Sequence, residues 1–205
     1  LGLFAGVLTN PTTLARANRP HLETMRDLCA ATSKPVFYQL RDGTVDDMKK
    51  QADHLATQNW SNLGIKVPVS PAGLSVLGWL RDQGIKLRLA TAVPTAFHVL
   101  LLTALEVPWI TPSGSALEKI GGPSKLDLLA EMQRTIDQQS ALCTLIPSIN
   151  SAAELQAIGL QGIKAAFVWD HAVDDLLQNE IVDATISSFE AAWASPHAPA
   201  LAESY

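Results

Sequence analysis

Cysteine is scarce in this chain. Cys29 and Cys143 are the two in 205 residues, each in an apolar stretch, and neither has the spacing of a zinc site or a redox pair. Two free thiols fit a reducing compartment, so the cytoplasm is the expected location. Positive charge is thin as well. Fifteen Lys and Arg against twenty Asp and Glu leave a net charge of -5, and no basic run offers a surface to nucleic acid or anionic lipid. No apolar run has the length of a membrane span; ALCTLIPS at 141–148 is only strand-sized. The five histidines, at 21, 54, 98, 171 and 197, do not pair at metal-ligand spacing, so neither a metal nor another cofactor is expected. A glycine fingerprint for a dinucleotide is missing too, because Gly121-Gly122 follows a polar stretch rather than a strand. The chain opens Leu1-Gly2-Leu3 with no charged leader followed by an apolar run, and a signal peptide is not expected.

What is present is alternation. Seven short β-prone runs, Leu3–Thr9, Pro35–Leu40, Leu63–Val69, Leu87–Val93, Val107–Thr111, Leu142–Pro147 and Ile163–Trp169, are separated by amphipathic helical stretches. The runs are continuously apolar, as strands buried on both faces are in parallel sheets. Helices are predicted over 44–58, 71–83, 124–139 and 151–159. Thr44 and Ser151 are placed as caps, Pro71 follows Ser70 at a helix start, Gly84 stands just past a helix end, and Glu154 completes a capping box with Ser151. Repeated strand–helix units mean an α/β fold with a parallel sheet, either open and doubly wound or closed into a barrel. Residues 1–195 read as one domain, and the Pro- and Ala-rich 196–205 as a C-terminal arm.

In a parallel barrel, chemistry collects at the C-terminal ends of the strands. The polar residues there are Thr9 and Asn10, Gln39, Lys66, Thr91, Thr111 and Ser113, Ser148 and Asp170. Lys66 stands out inside Leu-Gly-Ile-Lys-Val-Pro-Val. Burial disfavours an ammonium, and a neutral amine can attack a carbonyl. The same lysine could equally snorkel outward or hold a buried ion pair. Asn10 before Pro11 also suits a turn, Gln39 and Thr91 suit satisfied buried polar groups, Ser148 suits a loop before the helix, and Asp170 suits a helix cap.

The residues Gly-Val-Leu-Thr-Asn-Pro-Thr-Thr at 6–13 resemble a transaldolase signature. Ile-Lys-Val-Pro-Val-Ser-Pro-Ala-Gly-Leu at 65–74 resembles that family's Schiff-base strand, and Leu-Ala-Thr-Ala-Val at 89–93 resembles the strand that follows. The Phe189 to Trp193 spacing resembles the family's last helix. The resemblance runs over essentially the whole chain and is nearest to the short fructose-6-phosphate aldolase-like branch. It implies a (β/α)8 TIM barrel and a class I aldolase or transaldolase that makes or breaks a carbon–carbon bond of a ketose or ketose phosphate. Lys66 would form the imine, and Gln39 and Thr91 would hold a proton-shuttling water. Asn10 would bind the donor hydroxyl, and Thr111, Ser113 and Ser148 would line the substrate site. Partners would be small ketoses and aldehydes, with no nucleic acid or membrane, and the family's ring assemblies imply a homo-oligomer built through C-terminal helices.

The departures from the family pattern are specific. Seven runs stand where the barrel needs eight, and the first strand with its aspartate is expected to be missing from this sequence. Ser113 takes the place of a tyrosine, Ala116 that of a phosphate-binding arginine and Asn150 that of a lysine. Fewer charge-assisted phosphate contacts follow. The alternatives are therefore other imine chemistry on a non-phosphorylated substrate, or a non-catalytic scaffold.

Overall fold

The computed structural model describes residues 3–119, 121–139 and 141–194; the expected arm at 196–205 lies outside them. The order of elements is β1 (Val7–Leu8), α1 (Pro11–Ala15), α2 (His21–Ala31), β2 (Val36–Gln39), α3 (Val45–Ala56), β3 (Leu63–Pro68), α4 (Pro71–Asp82), β4 (Arg88–Val93) and α5 (Ala96–Ala104). It continues with β5 (Trp109–Pro112), α6 (Gly114–Lys119), α7 (Lys125–Gln138), β6 (Thr144–Leu145), β7 (Ser148–Ile149), α8 (Ala152–Leu160), β8 (Phe167–Val168), α9 (Val173–Leu177) and α10 (Glu180–Trp193).

Strands β1 to β6 form one sheet in sequence order, and every pairing is parallel. A doubly wound sheet reverses its strand order at a switch point, and no reversal occurs among the described residues. Crossovers of one hand that always step the same way put all the helices on one face, and the sheet curls away from them.

The run predicted at 142–147 is displaced to 144–149 and divided. Its first half, β6, pairs with β5, and its second half, β7, pairs with β8. Pro147 sits at the break; it has no N–H to donate, but its carbonyl accepts the Phe167 amide at 2.7 Å. The two sheets are thus joined through one extended segment. Strands β1 and β8 do not pair among the described residues, so the series is a curled, barrel-like sheet rather than a closed ring of eight.

Period-two alternation divides the residues between two layers. Ile65, Val67, Ala90, Ile110, Leu145 and Ile149 face the helices and form the main core with Met48, Leu55, Val76, Leu77, Leu80, Val99, Leu102, Leu129 and Met132. The opposite face carries Phe37, Gly64, Leu89 and Trp109, with Gln39, Lys66, Thr91 and Thr111 above them toward the C-terminal ends. Phe37 reaches across Gly64 to meet Trp109 edge to face, with ring centroids 5.5 Å apart. This aromatic pair floors the layer on which Lys66 stands. Two caps form as predicted, Thr44 on α3 and Ser70 on α4, and Gly84 adopts φ 72 past the end of α4. The predicted capping box at α8 is half made. Ser151 accepts the Glu154 amide, but the Glu154 carboxylate turns to the Asn150 amide and to Lys125.

A Cβ at Gly64 would lie 2.5 Å from the Phe37 ring. Gly64→Ala is therefore expected to lower unfolding free energy by about 1–3 kcal/mol, the usual cost of overpacking. An unchanged urea midpoint would mean that the Phe37–Trp109 floor yields without cost.

Candidate active site

Lys66 is 7% exposed and projects from the inner face of β3. Its Nζ donates to the Thr9 carbonyl at 3.2 Å. No carboxylate pairs with it among the described residues. Burial pulls its ammonium down from 10.5 to about 8. A carbonyl oxygen can accept a hydrogen bond from the ammonium but cannot balance its charge, so about half of the amine is neutral at pH 8 and less of it below.

Thr9 is a further site residue, and its role is structural. Its buried hydroxyl donates to the Phe37 carbonyl at 2.7 Å, and its amide donates to the same oxygen at 3.1 Å. The carbonyl that meets Lys66 is thereby fixed. The turn after β1 also explains Asn10. The Asn10 Oδ1 accepts the Thr13 amide at 2.9 Å, so the side chain caps α1 in a reciprocal box. Turn residue and rim residue are one position.

Gln39 lies beside Lys66 in register on β2. On the other flank Pro68 pairs with Thr91, and Thr91 pairs with Thr111. The Thr111 hydroxyl donates to the Thr91 hydroxyl at 2.8 Å and also lies 3.3 Å from the Ala90 carbonyl, which holds the two threonines together. Just past Thr91 the register shifts, and Ala92 takes φ 61. A left-handed alanine costs about 1–2 kcal/mol. This irregularity sits beside a candidate catalytic residue, where such strain collects.

Ser113 follows the last residue of β5 and Ser148 opens the two-residue β7, both separate from the Gln39–Lys66 pair. Ile149 belongs to the helix-facing core, so its neighbour Ser148 faces the inner side. The Ser148 carbonyl accepts from the buried Lys125, whose amine also pairs with Glu154.

Asn10, Thr13, Arg16, Gln39 and Trp169 line a cleft of about 440 Å³. Trp169 follows β8, so the end of the strand series returns to face its beginning. The sequence places Trp169 at the end of a strand run and Glu154 in a capping box, and it singles out neither Arg16 nor Lys125. One signal for Lys125 is present: a lysine at the first position of a helix runs against the helix dipole. Asp170 caps nothing; it begins a short 3-10 turn and is exposed. Among the described residues no group of three or more His, Cys, Asp or Glu could hold a metal ion, and no helix is long and apolar enough to cross a membrane.

No family model matches the chain. The chain is 29% identical over 194 residues to a "Probable transaldolase" of Rhodospirillum centenum, covering 94% of this chain and 83% of that one. It is 28% identical over 197 residues to a "Probable transaldolase" of Streptococcus agalactiae, covering 95% and 90%, and 26% identical over 196 residues to one of Streptococcus pyogenes, again 95% and 90%. These relatives support a transaldolase-like family without distinguishing a branch within it.

Solved structures give a likeness of fold alone. A mandelate oxidase variant aligns with a TM-score of 0.52 at 14% identity, over 70% of this chain and 51% of that one. FabK from Thermotoga maritima aligns with 0.52 at 16%, over 71% and 44%.

Two outcomes test the site's physics. Because the folded Lys66 titrates near 8 and the unfolded one near 10.5, the unfolded chain binds more protons between those values, and stability rises with pH there. Below pH 8 the buried charge costs stability, so Lys66→Met should be the more stable protein at pH 7, by up to about 3 kcal/mol. The difference should disappear above pH 10.5. Equal denaturation curves at pH 7 would show that Lys66 is not desolvated. Separately, Ala92→Val should cost more than about 1 kcal/mol in the same assay, since a β-branched residue is poorest at positive φ.

Proposed function

We propose that the chain is a class I Schiff-base aldolase, nearest to the fructose-6-phosphate aldolase-like branch of the transaldolases. It would act on small ketoses and aldehydes in the cytoplasm, without a metal or other cofactor. The observation that carries the reading is a buried lysine with no counter-carboxylate among the described residues, beside Gln39 in register and one strand from Thr91 at the C-terminal end of a parallel sheet. The relatives' names support the same class.

In this reading the neutral Lys66 amine adds to the donor's carbonyl carbon, and the carbinolamine loses water to give an imine. Loss of a proton, or cleavage of the neighbouring carbon–carbon bond, leaves an enamine. The enamine carbon attacks an aldehyde, and hydrolysis frees Lys66. Gln39 and Thr91 hold the water that carries the protons, with Thr111 orienting Thr91. The Asn10 amide nitrogen takes the donor's hydroxyl while its oxygen serves the cap. Ser113 and Ser148 meet the far end of the substrate.

A second reading, other imine chemistry on a non-phosphorylated substrate, is favoured by Ala116 and Asn150 in place of cations. Residues 1–195 act as one domain, and the assembly is a homo-oligomer. Support for the last point comes from α10, none of whose described side chains is buried, with Ile181, Val182, Ile186, Phe189 and Trp193 exposed.

Borohydride reduction in the presence of dihydroxyacetone or fructose 6-phosphate, followed by peptide mass mapping, tests the reading. The expected result is one reduced adduct on Lys66, absent from a folded Lys66→Met variant that has also lost carbon–carbon bond chemistry. A wild-type protein that traps no ketose sinks the assignment.

A further inference from the structure

Two lysines, Lys66 and Lys125, are each 7% exposed, and they are held in opposite ways. Lys66 meets one carbonyl. Lys125 bonds both the Ser148 carbonyl and the Glu154 carboxylate. The second Glu154 oxygen accepts the Asn150 amide at 2.7 Å. The stem of Lys125 also fills the space beside Gly114, where a Cβ would lie 2.8 Å from the Lys125 Cγ. One amine thus ties the starts of α7 and α8 to the start of β7 and braces the backbone next to Ser113.

Stability does not explain this arrangement. A lysine at the first position of α7 opposes the helix dipole. A buried ion pair generally gives no more stability than an apolar pair of the same volume. What the pair does supply is a fixed main chain from the Ser148 carbonyl to the Asn150 amide, with the two charges cancelling.

We propose that Lys125 and Glu154 are positioning residues for the far end of the substrate. They hold Ser148 and the segment after Ser113 in place without presenting a net charge, so this part of the rim takes a neutral, hydroxylated chain end rather than a phosphate. This rests on the Schiff-base reading and adds to it a substrate class for the acceptor.

The test uses the full chain with dihydroxyacetone as donor and glyceraldehyde or glyceraldehyde 3-phosphate as acceptor. Lys125→Met alone strands the Glu154 carboxylate and risks the fold, so the decisive variant is the double replacement Lys125→Met, Glu154→Leu, which removes both charges at similar volume. That variant should still be trapped on Lys66 by borohydride, while its KM for glyceraldehyde rises about tenfold, the scale of one lost hydrogen bond. Wild type should favour glyceraldehyde over its phosphate in kcat/KM. Glu154→Gln, which uncovers the lysine's charge, should move that ratio about tenfold toward the phosphate. A wild-type KM for glyceraldehyde in the trapped double variant, or a wild type that prefers the phosphate, overturns the proposal alone. A wild type with no Lys66 adduct overturns the Schiff-base reading and this role together.

Discussion

Among the described residues the Lys66 amine meets one protein oxygen, the Thr9 carbonyl at 3.2 Å, and the rest of the candidate site leaves that amine buried and without a carboxylate. The floor beneath it is apolar because Phe37 passes over Gly64 to Trp109. The face behind its strand is apolar because Ile65 and Val67 turn to the helices. A carboxylate in Lys66's reach would stabilise the ammonium and raise the amine's pKa, and the neutral form would become scarce. Thr9 avoids this by offering a backbone dipole, and its own position is locked by two bonds to the Phe37 carbonyl.

Lys125 shows what the alternative looks like in the same molecule. It is equally buried, yet Glu154 accompanies it and the pair is closed by Ser148 and Asn150. One lysine is held as an ion pair and the other against a neutral oxygen. Burial alone therefore does not mark a reactive amine; the decisive feature is which partner burial leaves beside it.

Much of this order was legible in the sequence, and the physics says which part. Apolar runs separated by capped amphipathic stretches specify a parallel α/β layer, because each strand must be covered by the helix that follows it. All seven runs contain strands, in the predicted order. Lys66 was visible as a lone cation in an apolar strand, and Gln39, Thr91 and Thr111 as strand-end polar groups. Their grouping was not visible, because it depends on register: Gln39 beside Lys66, and Thr91 beside Thr111. Glu154 read as a local capping partner because the spacing to Ser151 fits, whereas a buried amine from another helix outcompeted the local amide for its charge. Trp169 was unreadable as a rim residue because its place depends on the curl of the whole sheet.

The strain at Ala92 belongs to the same economy of partners. Thr91 and Thr111 lie opposite each other only where the ladder is regular, and the shift that follows, with Val93 meeting Pro112, lets the chain leave the sheet immediately above them. A regular continuation would carry β4 on past the rim and set further side chains over the hydroxyl pair. The left-handed residue is the bulge one position beyond Thr91, and the ladder closes with Val93 opposite Pro112 just past the pair. A glycine would reach this φ at less steric cost, but it would also free the backbone that aims Thr91. An alanine held there trades about 1–2 kcal/mol of strain for a fixed direction at the Thr91 hydroxyl, on the strand next to that of Lys66.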